Sequence, residues 1–429
     1  MPGTTRKYKS RKTQNILNSS LGRNSIIEKV IICMDVCTKR AGDLKEAAFD
    51  FKMGSLSKSV AEFCLDLFHE VNKIDPKKNI FSPMSISAAL AMVFLGAKGN
   101  TAAQMEKVLL FNRASGSQEP MARPSSECGA EGTELEHHSE SEYQPYSSLP
   151  KNYIDCTKEL YGAIPQTADF KNATEAARQK INSWVESQTQ GKIKELFIPG
   201  IIMTITVSVL VNAIYFKANW NYKFDKTKTV KRGFRLNQND KKFVQLMYQQ
   251  GRFKMAHVQE INAQILELPY NKKSLSMIIL LPDDITDRDN GLKKIERTMT
   301  AEKLTLWTSS ESLMERKMEV YLPRFKLEDM FNLKSSLKEM GMTDDFAELK
   351  ADLSAISGTN SLYMSEAVHK TYVEVYEEGT EAAAAATGAV INQRSLPSSE
   401  LFMADHPFFF FIRHNPINTI LFFDKLCSP

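Results

Sequence analysis

Cysteine is scarce in this chain. None of the six (Cys33, Cys37, Cys64, Cys128, Cys156, Cys427) falls in a paired metal-ligand spacing. Their low density excludes a small disulfide-stapled scaffold, and a reducing, cytoplasmic compartment is the expectation, with release from the cell without a cleaved signal as the alternative. No run of 18 or more apolar residues occurs, so no membrane span is expected. The nearest approach, 201–216, is interrupted by Thr204, Thr206, Ser208 and Asn212, and its β-branched residues predict a long buried strand. No apolar stretch followed by a small-residue cleavage site is visible near the start. Catalytic signatures are missing as well: HExxH, the P-loop, GxSxG and GxGxxG are all absent, and the seven histidines accompany no local nucleophile motif. Neither an enzyme nor a metal or other cofactor is expected. Cys128, His137, His138 and Glu140 are ligand types, but they sit in a segment polar enough for solvated chance neighbours.

At 42% apolar and 25% charged over 429 residues, the composition is that of a soluble protein with a sizeable core. The formal charge of +4 is unevenly spread. Residues 1–52 carry eleven Lys/Arg against five Asp/Glu, a balance of +6, which leaves 4 − 6 = −2 for residues 53–429. The body therefore gives no reason to expect nucleic acid. Residues 1–52 read as a disordered or non-native basic extension, with Arg6–Lys12 as a candidate nuclear address. Residues 112–150 are rich in Ser, Glu, Gly and Pro and read as a mobile insertion.

Helical spacing of Val60, Phe63, Cys64, Leu67, Phe68 and Val71 predicts an amphipathic first helix, and 82–95 a second, more buried one. Helix is also predicted over 173–195 and 292–307, and strands over 204–216 (central), 264–268 and 274–281. Helices and strands mix without a βαβ rhythm or an internal repeat, which points to α+β with antiparallel or mixed sheets. Between Glu374 and Asp405 stands EVYEEGTEAAAAATGAVINQRSLPSSELFMAD, where five alanines follow one another. Side chains this small can enter a packed sheet without a large cavity, although Ala-rich sequence also favours a helix or linker.

Seven strings decide between these readings: NIFSPMSISAALAMVFLGAKGNTAAQM, INSWVESQTQGKIKELF, LVNAIYFKANW, LSMIILLPDD, VYLPRFKLED, HKTYVEVYEEGTEAAAA and HPFFFFIRHNPINTILFFDKLCSP. In this order they resemble the serpins, and within them the ovalbumin-like intracellular clade B, over residues 53–429. The resemblance implies a serpin fold of mixed sheets with surrounding helices and an exposed reactive-centre loop, here 377–404. It implies a monomer that inhibits proteases as a suicide substrate, its loop inserting into the main sheet as a new strand after acylation. Gly379, Thr380, Glu381, Ala382, Ala383, Ala384, Ala385, Ala386 and Thr387 would form the hinge. A period of two puts Thr380, Ala382, Ala384, Ala386 and Gly388 on one face and Glu381 on the other.

Counting back from HPF places the reactive bond at Arg394-Ser395, suited to a trypsin-like protease; counting forward from Gly379 places it at Gln393-Arg394, because the alanine run is one longer than usual. Trp220 resembles the tryptophan under the loop's entry point. Glu377 and Arg324 resemble the acid-base pair restraining the hinge, and Ser82, Ser85, Asn212 and His369 the polar cluster beneath the sheet. Three departures stand out. Roughly 35 to 40 residues of the family pattern are absent before Asn152, enough for one helix and one strand of the main sheet, and one residue is missing at Phe81. Asp424 stands where relatives usually carry Gly. The chain is thus either a defective or alternatively spliced form, or one whose sheet is rebuilt. The departures support an alternative, a non-inhibitory serpin with a binding or chaperone-like role, and residues 1–52 a third, a chromatin-binding serpin.

Overall fold

The computed structural model of the protein describes residues 46–76, 80–114, 149–161, 163, 165–166, 168–216, 218–285, 291–358, 361–380 and 399–429. Helix α1 (Glu46–Ile74) buries the stripe Val60, Phe63, Cys64, Leu67, Phe68 and Val71, as its spacing requires. Helix α2 (Pro83–Gly96) starts where Ser82 accepts a hydrogen bond from the Ser85 N–H and Pro83 supplies a preset φ. The remaining helices are α3 (Gly99–Val108), α4 (Phe111–Ala114), α5 (Lys151–Tyr161), α6 (Thr174–Gln188), α7 (Leu292–Thr298), α8 (Ala301–Trp307), α9 (Lys334–Met340) and α10 (Ser354–Ser357). The single helix expected over 292–307 is two, because Thr300 caps a new start by accepting the Lys303 N–H. That expected over 173–195 stops at Gln188, before Gln190 and Gly191 take positive φ.

The strands are β1 (Val209–Phe216), β2 (Ala218–Asn219), β3 (Val230–Arg235), β4 (Lys241–Val258), β5 (Ala263–Pro269), β6 (Leu275–Pro282), β7 (Met314–Pro323), β8 (Phe325–Asn332), β9 (Glu366–Val375), β10 (Gly379–Thr380), β11 (Glu400–Met403), β12 (Phe408–His414) and β13 (Thr419–Leu426). Most join one large sheet in the order β11-β7-β4-β5-β6-β12-β13, with β3 pairing β4. The run Phe408–Ile412 is apolar at every position because β12 is covered on both faces: Phe409 and Phe411 enter the core beneath α1, while Phe408, Phe410 and Ile412 enter a second core.

The second sheet has three described strands in the order β1-β9-β8, with β1 parallel and β8 antiparallel to β9. Here the structure differs from the sequence expectation. Residues 204 and 205 form a turn, with the Thr206 N–H on the Met203 carbonyl, and the strand begins only at Val209. Expected at the centre of its sheet, β1 pairs on one side only among the described residues, and Val209–Ala213 are half-buried. Over the sheet's face lies α6, whose Val185 packs with Tyr215, Val368, Tyr372 and Phe197. Among the described cysteines, Cys64 and Cys427 are thiols, whereas Cys156 is disulfide-bonded.

Candidate functional site

At the end of β9 the chain reverses. The Tyr376 and Gly379 backbones exchange hydrogen bonds of 2.9 and 3.0 Å, leaving Glu377 and Glu378 at the tip. The tip is held from outside: the Phe224 N–H donates to the Glu377 carbonyl (2.9 Å) and the Trp220 N–H to the Glu378 carbonyl (3.0 Å). Trp220 is buried, stacks on Tyr270 (4.4 Å, 9°) and donates its indole N–H to the Tyr376 carbonyl at 2.9 Å. Gly379 has φ +140°, and a Cβ there would lie 2.2 Å from the Ala218 carbonyl oxygen and 2.4 Å from the Asn219 Cα. Backbone, not a flexible side chain, occupies that space. Gly379→Ala is therefore expected to cost about 2–3 kcal/mol and to detach β10 from β2, which limited proteolysis between Gly379 and Ser399 would register as faster cutting.

The Glu377 carboxylate is buried, and Arg324 grips it from Nε (2.8 and 2.9 Å) and Nη2 (2.5 Å), while Thr229 Oγ1 adds a third donor. Burial alone would push this carboxyl up, but the hydrogen bonds from Arg324 and Thr229 outweigh it and hold it below the usual range. A lowered folded pKa contributes stability above the unfolded value, lost as pH falls through the folded one. Acidification below the ordinary carboxylate range is thus expected to loosen the turn, read as faster amide exchange at Tyr376 and Gly379. Glu378 is held separately by Lys226 (2.7 Å).

Halfway along β1, the predicted polar cluster is assembled. The Ser82 N–H donates to His369 Nε2 (3.1 Å), so Nδ1 carries the ring proton and donates to Asn212 Oδ1 (2.6 Å). Ser85 Oγ also donates to that oxygen (2.8 Å), and Asn212 Nδ2 returns a bond to the Ser85 carbonyl (3.2 Å). Thr371 Oγ1 completes the set at Nε2 (2.5 Å). Burial lowers the His369 pKa to about 3, so the ring stays neutral and every donor keeps its acceptor. The preceding residues tie the same place to other strands: the Ile80 N–H reaches Asp329 Oδ2 on β8 (3.2 Å), and Phe81 pairs with Phe423 on β13 (3.2 and 3.0 Å).

Ser82, Ser85, Asn212, His369, Trp220, Arg324, Glu377, Gly379 and the Thr380 backbone are all placed, in two groups at the middle and top of the β1–β9 pair. Glu381–Thr387, Gln393, Arg394 and Ser395 lie outside the described residues, as do 1–45 and 115–148. Sequence reading missed Thr229 and Thr371. Thr371 carried a signal, standing two residues from His369 on the same strand face; Thr229 carried none, being brought to Glu377 by the tertiary fold alone.

The family model Serpin (serine protease inhibitor) matches residues 58–429. The chain belongs to the serpin family. Its relatives put it in clade B: it is 46% identical over 382 residues to the leukocyte elastase inhibitor of Equus caballus, and 46% identical over 397 residues to Serpin B11 of Homo sapiens. Each alignment covers 88% of this chain and 100% of the relative. Among solved structures, uncleaved ovalbumin matches with a TM-score of 0.74 at 36% identity, again over 88% of this serpin and all of that chain. The serpin fold read from the motifs is thus present, as helices around mixed sheets. Among the described residues no helix is long and apolar enough to cross a membrane, and no group of three or more His, Cys, Asp and Glu is placed to hold a metal.

Proposed function

We propose that this serpin inhibits a trypsin-like serine protease as a suicide substrate, cut after Arg394, with residues 53–429 as the inhibitory domain and 1–52 as an extension. The observation that carries the reading is where the hinge starts. N–H and C=O groups alternate between a strand's two edges with each residue. The Ser208 carbonyl accepts from the Ser365 and Glu366 N–H groups at the start of β9, which assigns the even-numbered residues to that edge. Trp220 is also even, and its N–H meets the Glu378 carbonyl, so β10 begins on the β9 side of β1. The hinge therefore starts at the top of the seam it would enter.

The pairing Gly379↔Asn219 and Thr380↔Ala218 also sets a register. Continued downward, it brings Ala382 opposite Phe216, Ala384 opposite Ile214, Ala386 opposite Asn212 and Gly388 opposite Leu210. Opposed residues share a face, and Ile214 and Phe216 point into buried core, so the small hinge residues would occupy the side with no room. One parallel ladder would be exchanged for two antiparallel ones, each slightly more stable per residue. The native form would then be a kinetic trap. A cytoplasmic monomer is the form proposed, with Cys64 and Cys427 as thiols; release from the cell is the setting in which the Cys156 disulfide would persist.

Incubating the full chain with trypsin tests this: a covalent adduct on a denaturing gel and a released peptide starting at Ser395 are expected. A peptide starting at Arg394 moves the bond to Gln393-Arg394. Cleavage without an adduct favours a second reading, a non-inhibitory serpin. The exposed edge of β1 speaks for that reading, since parting β1 from β9 leaves it, among the described strands, with no ladder at all until the hinge arrives.

A further inference from the structure

Strands β3 and β4 form a hairpin whose composition is unlike the rest of the body. From Val230 to Lys242 there are five cations (Lys231, Arg232, Arg235, Lys241, Lys242) against one carboxylate, Asp240. Arg235 is engaged by Asp284 and Asp405, and Lys242 reaches the C-terminal Ser428 and Pro429. Lys231, Arg232 and Lys241 are exposed and meet no carboxylate among the described residues. Arg232 lies instead over the Tyr321 ring at 5.5 Å, and Lys231 over Phe243 at 5.6 Å.

The two faces of the hairpin differ. Phe234 and Val244 point into the core, which leaves the alternate residues on the outer side. There the register sets Lys231 beside Gln245, Gly233 beside Phe243 and Arg235 beside Lys241. With only glycine opposite it, the Phe243 ring stays 69% exposed even with Lys231 over it, between two lysines that meet no carboxylate among the described residues. A large exposed aromatic ringed by uncompensated charge of one sign is a recognition feature. Phosphate backbone alone would not use the ring; a protein surface combining apolar and acidic groups would use both.

Position selects the protein. At the base of the hairpin, Thr229 bonds Glu377 and Lys226 bonds Glu378, the tip from which the loop departs. On its other side β4 pairs with β7, and β7 with β11, where the chain returns from the loop at Ser399 and Glu400. A protease gripping residues between Thr380 and Ser399 would sit above the sheet that this hairpin edges.

We propose that the outer face of the β3–β4 hairpin, centred on Phe243 with Lys231 and Lys241, is a docking surface for an acidic flank of the attacking protease. This rests on the inhibitor reading and narrows the partner to proteases with acidic surface beside the active site. Complementary charge acts chiefly on association rate and is screened by salt.

The test uses the full chain with two trypsins of opposite net charge, following both loop cleavage and adduct formation. With the anionic trypsin, the association rate is expected to fall with added salt, and to fall on the order of tenfold in the double variant Lys231→Glu/Lys241→Glu at low salt. The cationic trypsin should show no loss. Phe243→Ala should slow the anionic enzyme at low and high salt alike, with thermal stability unchanged because all three residues are exposed. Equal losses with both trypsins, or no loss with either, would overturn the proposal. Charge-selective cleavage without any adduct would leave docking standing while the inhibitor reading fails.

Discussion

Glutamate in place of Ala384 is expected to turn this serpin from a trap into a plain substrate. In the register set by Gly379↔Asn219 and Thr380↔Ala218, Ala384 would come to lie against Ile214, which is 2% exposed. A carboxylate there would be buried in apolar core, a penalty of several kcal/mol that applies only after insertion. The uncut protein should melt as before, and trypsin should cut after Arg394 at the same rate, since glutamate adds no trypsin site. What should vanish is the adduct band, together with the rise in melting temperature expected on cleavage of the wild type. Ala383→Glu is the matched control, since Ala383 would share a face with Tyr215 on the side of α6. An adduct that survives Ala384→Glu would refute the register; no adduct in either protein would move the assignment to the non-inhibitory reading.

Asp424 should dominate the pH dependence of stability. It lies in β13, fully enclosed, with Oδ2 unpartnered, and burial followed by the neighbouring Asp329 charge pushes its carboxyl up to about 8. In the unfolded chain it titrates near 3.8. A raised folded pKa means that the folded state binds the proton more tightly, so this stability is complete below the unfolded value and is lost as pH rises towards the folded one. From about pH 4 to pH 8 the loss amounts to on the order of 5 kcal/mol. Asp424→Asn removes the titration while keeping the shape, and denaturant melts at several pH values should show a much flatter profile. Flattened is the expectation rather than level, because Asp345 behaves in the same direction: it is buried with neither oxygen paired, and burial raises it to about 7. Identical profiles for wild type and Asp424→Asn would sink the argument. The cost is also local to the His369 cluster, since β13 is bound through Phe423 to Phe81, between the Ile80 contact to Asp329 and the Ser82 contact to His369.

The opposite slope comes from the paired and neutral groups. Glu377 is held ionised by Arg324 and Thr229, and His369 is kept neutral down to about pH 3, so both contributions are lost on acidification. The two raised aspartates outweigh His369 above the ordinary carboxylate range, so stability is expected to peak near about pH 4, with further acid undoing the hinge turn and the cluster, and rising pH charging Asp345 and Asp424.

Much of this architecture is legible in the linear chain, where the outcome is set by neighbours a few residues apart. The stripe from Val60 to Val71, the Ser82 cap with Pro83, and the unbroken apolar run of β12 each follow from helix or strand period and burial. The family, and with it the identity of the polar cluster and of the Arg324–Glu377 pair, was recoverable because the motif strings carry those residues in fixed order. Even the misfit of Asp424 was visible as a departure in type. Only the tertiary structure decided the rest, because it depends on what an element meets across space. It moved the start of β1 to Val209 and put that strand at an edge among the described residues, made Thr229 and Thr371 part of the two hydrogen-bonded groups, and left Asp424 Oδ2 without a hydrogen-bond partner. It also showed that Gly379 is required by the backbone of Ala218 and Asn219 pressing against it. Periodicity specifies which side of an element is buried; which partner lies there, and whether it can satisfy a charge, is specified by contacts between residues far apart in the chain.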